Sequence, residues 1–106
     1  MKHLICLIAF PAILVASGHV RAQTRGDPQN GLGLVQRVCA GCHAVRRGEN
    51  RPKGSRAPAF PEIATTPGMT DTALMVALTT PHAGMPMFTF TPAERDDVIA
   101  YFGSLR

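Results

Sequence analysis

"RVCAGCHAV", residues Arg37 to Val45, places two cysteines and a histidine within five consecutive positions. Three chemistries use such crowding. A C-x-x-C-H run fits covalent attachment of a c-type haem: thiols three positions apart on one helical turn add to the two vinyl groups, and the next residue, His43, turns its ring to the iron. A redox dithiol is expected beside a βαβ pattern, and no stretch of this chain alternates like buried strands. A structural zinc needs four ligands, and beyond the N-terminal segment only His82 joins His43. Haem attachment through Cys39 and Cys42 is the favoured reading, with zinc or thiol redox as its competitors.

Working outward, the 106 residues bound the chain to one small domain. Met1-Lys2-His3 is a short basic start, and Leu4 to Ala16 is a run of 13 apolar residues. A spanning helix wants about 20, so the run suits the apolar region of a secretory signal, with Val20 and Ala22 at the positions a signal peptidase reads. The expected organisation is a signal peptide over 1–22 and one domain over 23–106; an uncleaved anchor is the competing reading. Cys6 lies inside the apolar run and has no assigned role. Export predicts a periplasmic location and no stable membrane insertion after cleavage.

The formal net charge of +4 falls to +2 when Lys2 and Arg21 leave, which excludes a nucleic-acid binder on charge alone. A Cys39–Cys42 disulfide is permitted in an exported protein, but so small a loop stabilises little. Yet 84 residues without tryptophan bury little apolar surface and are marginal without metal or cofactor. The composition asks for something extra in the core.

A haem held by one axial ligand is open to gases; electron transfer calls for a sixth ligand, and thioether sulfur favours Fe(II) and raises the potential. Met69 and Met75 fall at and within a helical segment, where methionine fills core gaps. Met85 and Met87 fall in "PHAGMPMF" (Pro81 to Phe88), a Pro/Gly-punctuated loop, and spacing alone permits either. His82, three residues before Met85, is an alternative sixth ligand or a surface ring packed beside the haem.

"GLVQRVCAGCHAV", the "GMP" loop and "TPAERDDVIAYFGSL" together resemble a small bacterial class I c-type cytochrome, over nearly all of residues 23–106 and in the right order. The resemblance implies an all-α fold of three to four short helices wrapped around one covalently attached haem c. It favours Met85 over Met87, because the family's axial methionine commonly precedes a proline. It also implies a proline between the ligands whose carbonyl accepts a hydrogen bond from the axial histidine, with Pro58 the best match and Pro61 the second; such a bond orients the imidazole and strengthens it as a donor. A family glycine at Gly31 lets the last helix cross closely. The chain departs from the pattern at Val35, where the family usually carries an aromatic residue.

The residues themselves predict three helices. The first runs from about Asn30 into the haem motif, capped by Asp27 or Asn30 and buried through Leu34, Val35 and Val38. The next covers roughly Asp71 to Leu78, with Leu74 and Leu78 inward, and stops before Pro81. The last has Thr91 as N-cap, Pro92 at N1 and Glu94 at N3, a capping box, and buries Val98, Ile99, Tyr101, Phe102 and Leu105.

"RRGENRPKGSR" (Arg46 to Arg56) holds five basic residues against one acid. It is either a solvated loop or a set of charges at the haem edge that pairs with propionates or steers an acidic redox partner. Two propionates would bring the holoprotein near neutrality, so steering must come from this local asymmetry. No catalytic constellation accompanies the haem. The expected function is a non-enzymatic, soluble periplasmic carrier with His43 and Met85 axial, shuttling single electrons between transiently docked partners. The alternatives are a haem sensor and a dedicated cytochrome subunit of a periplasmic dehydrogenase.

Overall fold

The computed structural model describes residues 25–106, which form four helices and no strand. The expected signal peptide, its cleavage point and Cys6 lie outside the described residues. Among the described residues no helix is long and apolar enough to cross a membrane.

Helix α1 is Pro28–Val38, beginning two residues before the position the apolar pattern marked. Asp27 supplies the cap: its carboxylate accepts from the Gln29 amide at 2.8 Å, and Pro28 sits in the first turn, where a missing N–H costs nothing. Asp27 is held in turn from the other end of the chain, its own amide donating to Asp97 at 2.6 Å. The start thus falls on the Asp27 candidate, and the contact with Asp97 ties it to α4.

Helix α4, Pro92–Ser104, carries the expected capping box in full. The Thr91 amide donates to the Glu94 carboxylate at 2.8 Å, and the Glu94 amide donates to the Thr91 hydroxyl at 3.2 Å. Its residues Val98 to Phe102 are all buried. It crosses α1 at Gly31, where a Cβ would land on the Asp97 carbonyl and 2.9 Å from Cβ of Tyr101. Only glycine lets the two backbones meet there. Val35, fully buried beside this crossing, fills the place where the family tends to have a ring.

Helix α3 is Asp71–Thr79, capped by Thr70, whose hydroxyl accepts from the Ala73 amide at 3.1 Å. It buries Leu74 against α4 and leaves Met75 and Val76 exposed. Between the motif and α3 lies a helix the apolar pattern did not reveal, α2, Phe60–Ala64. Five residues are too few to show a period. Glu62 accepts from the Ala59 amide at 3.1 Å and closes its first turn. One core of Leu34, Val35, Val45, Phe60, Leu74 and the buried residues of α4 joins all four helices.

Candidate functional site

Helix α1 runs directly into the cysteine motif. The Cys39 amide still donates to Val35 at 2.8 Å, and the amides of Cys42 and His43 both fold back on the Cys39 carbonyl, at 3.1 and 3.0 Å. One tight turn therefore carries both thiols and the imidazole. Neither cysteine is in a disulfide; Cys39 is half-buried and Cys42 exposed. Burial, with Cys42 beside it as the second cause, pushes the Cys39 thiol up to about 11. A dithiol oxidoreductase works through a lowered thiol, so the shift runs against that reading. Among the described residues no three His, Cys, Asp or Glu side chains gather as a metal site, which removes the donors a structural zinc would need.

His43 is held from two sides. Its Nδ1 lies 2.7 Å from the carbonyl of Pro58. A carbonyl only accepts, so Nδ1 carries the hydrogen and the neutral ring keeps its lone pair on Nε2. Phe60 tilts against the imidazole, ring centroids 5.1 Å apart, and Phe102 of α4 stacks behind Phe60 at 4.4 Å. The contact falls on Pro58 and not on Pro61, which sits in the first turn of α2. Phe60 went unnoticed as a site residue in the sequence; its place two positions after Pro58 was the only signal. The loop below the motif is fastened as well: the Ser55 hydroxyl donates to the Cys42 carbonyl at 2.5 Å and accepts from the Ala57 amide at 3.1 Å.

The methionine loop separates its two candidates. Met85 is half-buried, and its Sδ lies 3.0 Å from Nε2 of His82. Met87 is 54% exposed and lines a shallow cleft with Leu78, Phe88, Phe90 and Arg95. The two sulfurs thus serve different neighbourhoods.

The basic loop is largely committed to the chain itself. Arg47 donates to the carbonyls of Leu105 and Arg106, clasping the end of α4. Arg51 pairs with Glu62 at 2.5 Å. Gln36, with its amide oxygen turned toward the guanidinium, accepts from Nε of Arg46 at 3.3 Å. Glu49 accepts from the amides of Val45 and Arg46 at 2.8 and 3.0 Å and shapes the turn. Lys53 and Arg56, both exposed and flanking Ser55, are the two cations left facing outward.

These residues fit a covalently attached porphyrin. Two unoxidised thiols and an imidazole with its far nitrogen uncommitted share one turn, and the half-covered apolar side chains of Val38, Cys39, Ile63, Leu78 and Phe90 at the margin of the core offer the contact an apolar macrocycle needs. Comparison with known proteins meets the same point from outside. The family model described as cytochrome c oxidase, cbb3-type, subunit III matches residues 26–102. The chain belongs to the class I c-type cytochromes. Cytochrome c-552 of Bradyrhizobium diazoefficiens is 35% identical over 102 residues, 96% of this chain and 92% of that one. No solved structure matches at comparable significance. As a c-type cytochrome the protein carries covalently bound haem c and is an electron carrier, and its four-helix, strandless described region agrees with the all-α cytochrome c fold.

Proposed function

We propose that this cytochrome is a periplasmic electron shuttle whose haem is bound by the thiols of Cys39 and Cys42 and ligated by His43 and Met85. The bound group supplies a one-electron Fe(III)/Fe(II) couple. The chain's own residues set its conditions. Pro58 holds the Nδ1 hydrogen of His43, which orients the ring and increases its basicity at Nε2. Phe60 packs against that ring, and Phe102 backs Phe60. Met85 would supply a soft sulfur that favours Fe(II), and a metal held by both His43 and Met85 would offer no open position to a substrate. A carrier without a catalytic step follows, in keeping with the generally non-enzymatic character of the family.

The observation that carries this reading is the 2.7 Å contact between His43 and Pro58, because it leaves Nε2 as a ready donor on the same turn as two free thiols. Lys53 and Arg56, on the loop whose Ser55 hydroxyl donates to the Cys42 carbonyl, are the docking charges we assign to an acidic partner. Rim charges of this kind raise association rate more than affinity, which suits a partner that must leave quickly. Carbon monoxide added to the reduced protein tests the carrier reading: refusal supports it, while prompt stoichiometric binding would make the protein a sensor.

A second reading is favoured by the family's description, which names an oxidase subunit. The protein would then be a fixed subunit of a redox enzyme, and it would co-purify with that enzyme at high salt. The shuttle comes away alone.

A further inference from the structure

We propose, resting on Met85 as the axial ligand, that His82 is a second axial ligand held in reserve, placed to take the iron when the sulfur is lost. The two residues are the ends of one turn. The Met85 amide donates to the His82 carbonyl at 3.3 Å, and Gly84, at φ +79°, supplies the positive φ that such a four-residue turn needs at its third position. A turn of this kind brings the side chains of its first and last residues together, and Nε2 of His82 stands 3.0 Å from Sδ of Met85.

Nδ1 of His82 lies 3.1 Å from the Thr80 carbonyl and Nε2 lies 3.0 Å from Sδ of Met85. Both partners only accept, and a neutral ring has one hydrogen to give, so it serves one contact at a time; with the hydrogen on Nδ1 toward Thr80, Nε2 keeps its lone pair beside the sulfur. The pair thus sets two atoms that can each bind iron 3.0 Å apart: thioether is the softer, and imidazole suits iron as well. The Thr80 anchor is itself secured, its hydroxyl donating to the Val76 carbonyl at the end of α3.

The loop has room for the exchange. Residues 81–84 are exposed, and nothing lies within 4 Å of where a Cβ on Gly84 would stand. Replacing sulfur by nitrogen needs a displacement of the order of the 3.0 Å between them. His43 shares one half of this arrangement, its Nδ1 also lying on a backbone carbonyl.

The test compares holoprotein variants by visible and spin-state spectroscopy, with helical circular dichroism reporting the fold of each. Met85→Leu keeps the volume of the side chain and removes the sulfur. The expected result is loss of the weak red band of sulfur-ligated ferric haem while the iron stays low-spin, a lowered potential, and a reduced protein that binds carbon monoxide slowly or not at all. Adding His82→Gln should then turn the ferric iron high-spin and open the reduced iron to stoichiometric carbon monoxide. A high-spin Met85→Leu single variant, or a double variant that stays low-spin, overturns the proposal. Should the red band survive Met85→Leu, the proposal falls because Met85 is not the sulfur ligand, and loss of the band in Met87→Leu then gives that role to Met87; a Met85→Leu variant that loses the band and turns high-spin leaves Met85 as the ligand without a reserve. Met85→Ala repeats the comparison if leucine disturbs the loop.

Discussion

The hydroxyl of Tyr101, in the middle of α4, donates to the carbonyl of Val45 at 2.6 Å, joining residues 56 positions apart. Val45 is two residues beyond His43, so this one buried bond ties the last helix to the segment that carries the thiols and the imidazole. Glu49 grips the same residue through its amide. The motif is therefore held by α4 and by the basic loop as well as by α1.

Tyr101→Phe should lower the stability of the holoprotein by about 1–3 kcal/mol, because a buried carbonyl loses its donor. Thermal unfolding would read this as a fall of roughly 4–8 °C per kcal/mol in a domain this small. The pH dependence has a definite sign. Burial, the largest cause, raises the folded phenol above its ordinary 10.0, so the folded chain keeps the proton longer than the unfolded one. The stabilisation is complete below about pH 10 and declines as pH climbs through the raised folded value. The phenylalanine variant should show a flatter curve there; an equal decline in both would assign the alkaline loss to another group.

Gly31 and Gly33 lie on the same helix with opposite expectations. A methyl at Gly31 meets the Asp97 backbone and Tyr101, so Gly31→Ala should cost at least about 1–3 kcal/mol by overpacking the crossing. At Gly33 the nearest atom is the flexible end of Arg37, 3.5 Å away. Gly33→Ala should therefore be neutral, or stabilising by roughly 0.5–1 kcal/mol. Denaturant midpoints of the two holoproteins provide the comparison.

Reversing Lys53 and Arg56 to glutamate should slow association with an acidic redox partner several-fold at low salt, with the difference shrinking as ionic strength rises. Arg51→Glu, the same charge change, should have a smaller effect than either single reversal, since the Arg51 charge is already paired with Glu62 at the surface. Stopped-flow electron transfer against ionic strength measures both. Equal effects from all three positions would mean that the loop acts only through net charge.

Met85→Ala should abolish the red sulfur-to-iron band and lower the reduction potential, while Met87→Ala, at an exposed position in a separate cleft, should change both far less. Spectroelectrochemical titration gives band and potential together. The reverse ranking would transfer the axial role to Met87.

How much of this was legible in the sequence depended on the range of the interaction. The α4 cap is written in four residues, Thr91 to Glu94, and it formed as expected. Gly31 was legible as a crossing point through the family pattern. Of the two cap candidates for α1 the structure takes Asp27, two residues earlier than the apolar pattern alone begins, and its tie to Asp97 across 70 positions is one no local rule registers. Helix α2 is a single turn closed by Glu62, below the length at which periodicity speaks. The basic loop read as a solvated or docking segment because its partners lie outside it: Arg47 reaches the carbonyls of Leu105 and Arg106, and Arg51 the carboxylate of Glu62. The three-residue spacing of His82 and Met85 was visible, but their contact required the turn at Gly84.

The most direct measurement is made on protein produced with c-type maturation machinery, purified, denatured and extracted with acidified organic solvent. The account predicts that the colour stays with the polypeptide, that intact mass exceeds the apoprotein by one haem, and that both additions map to Cys39 and Cys42. Colourless protein, or haem that leaves with the solvent, would contradict it.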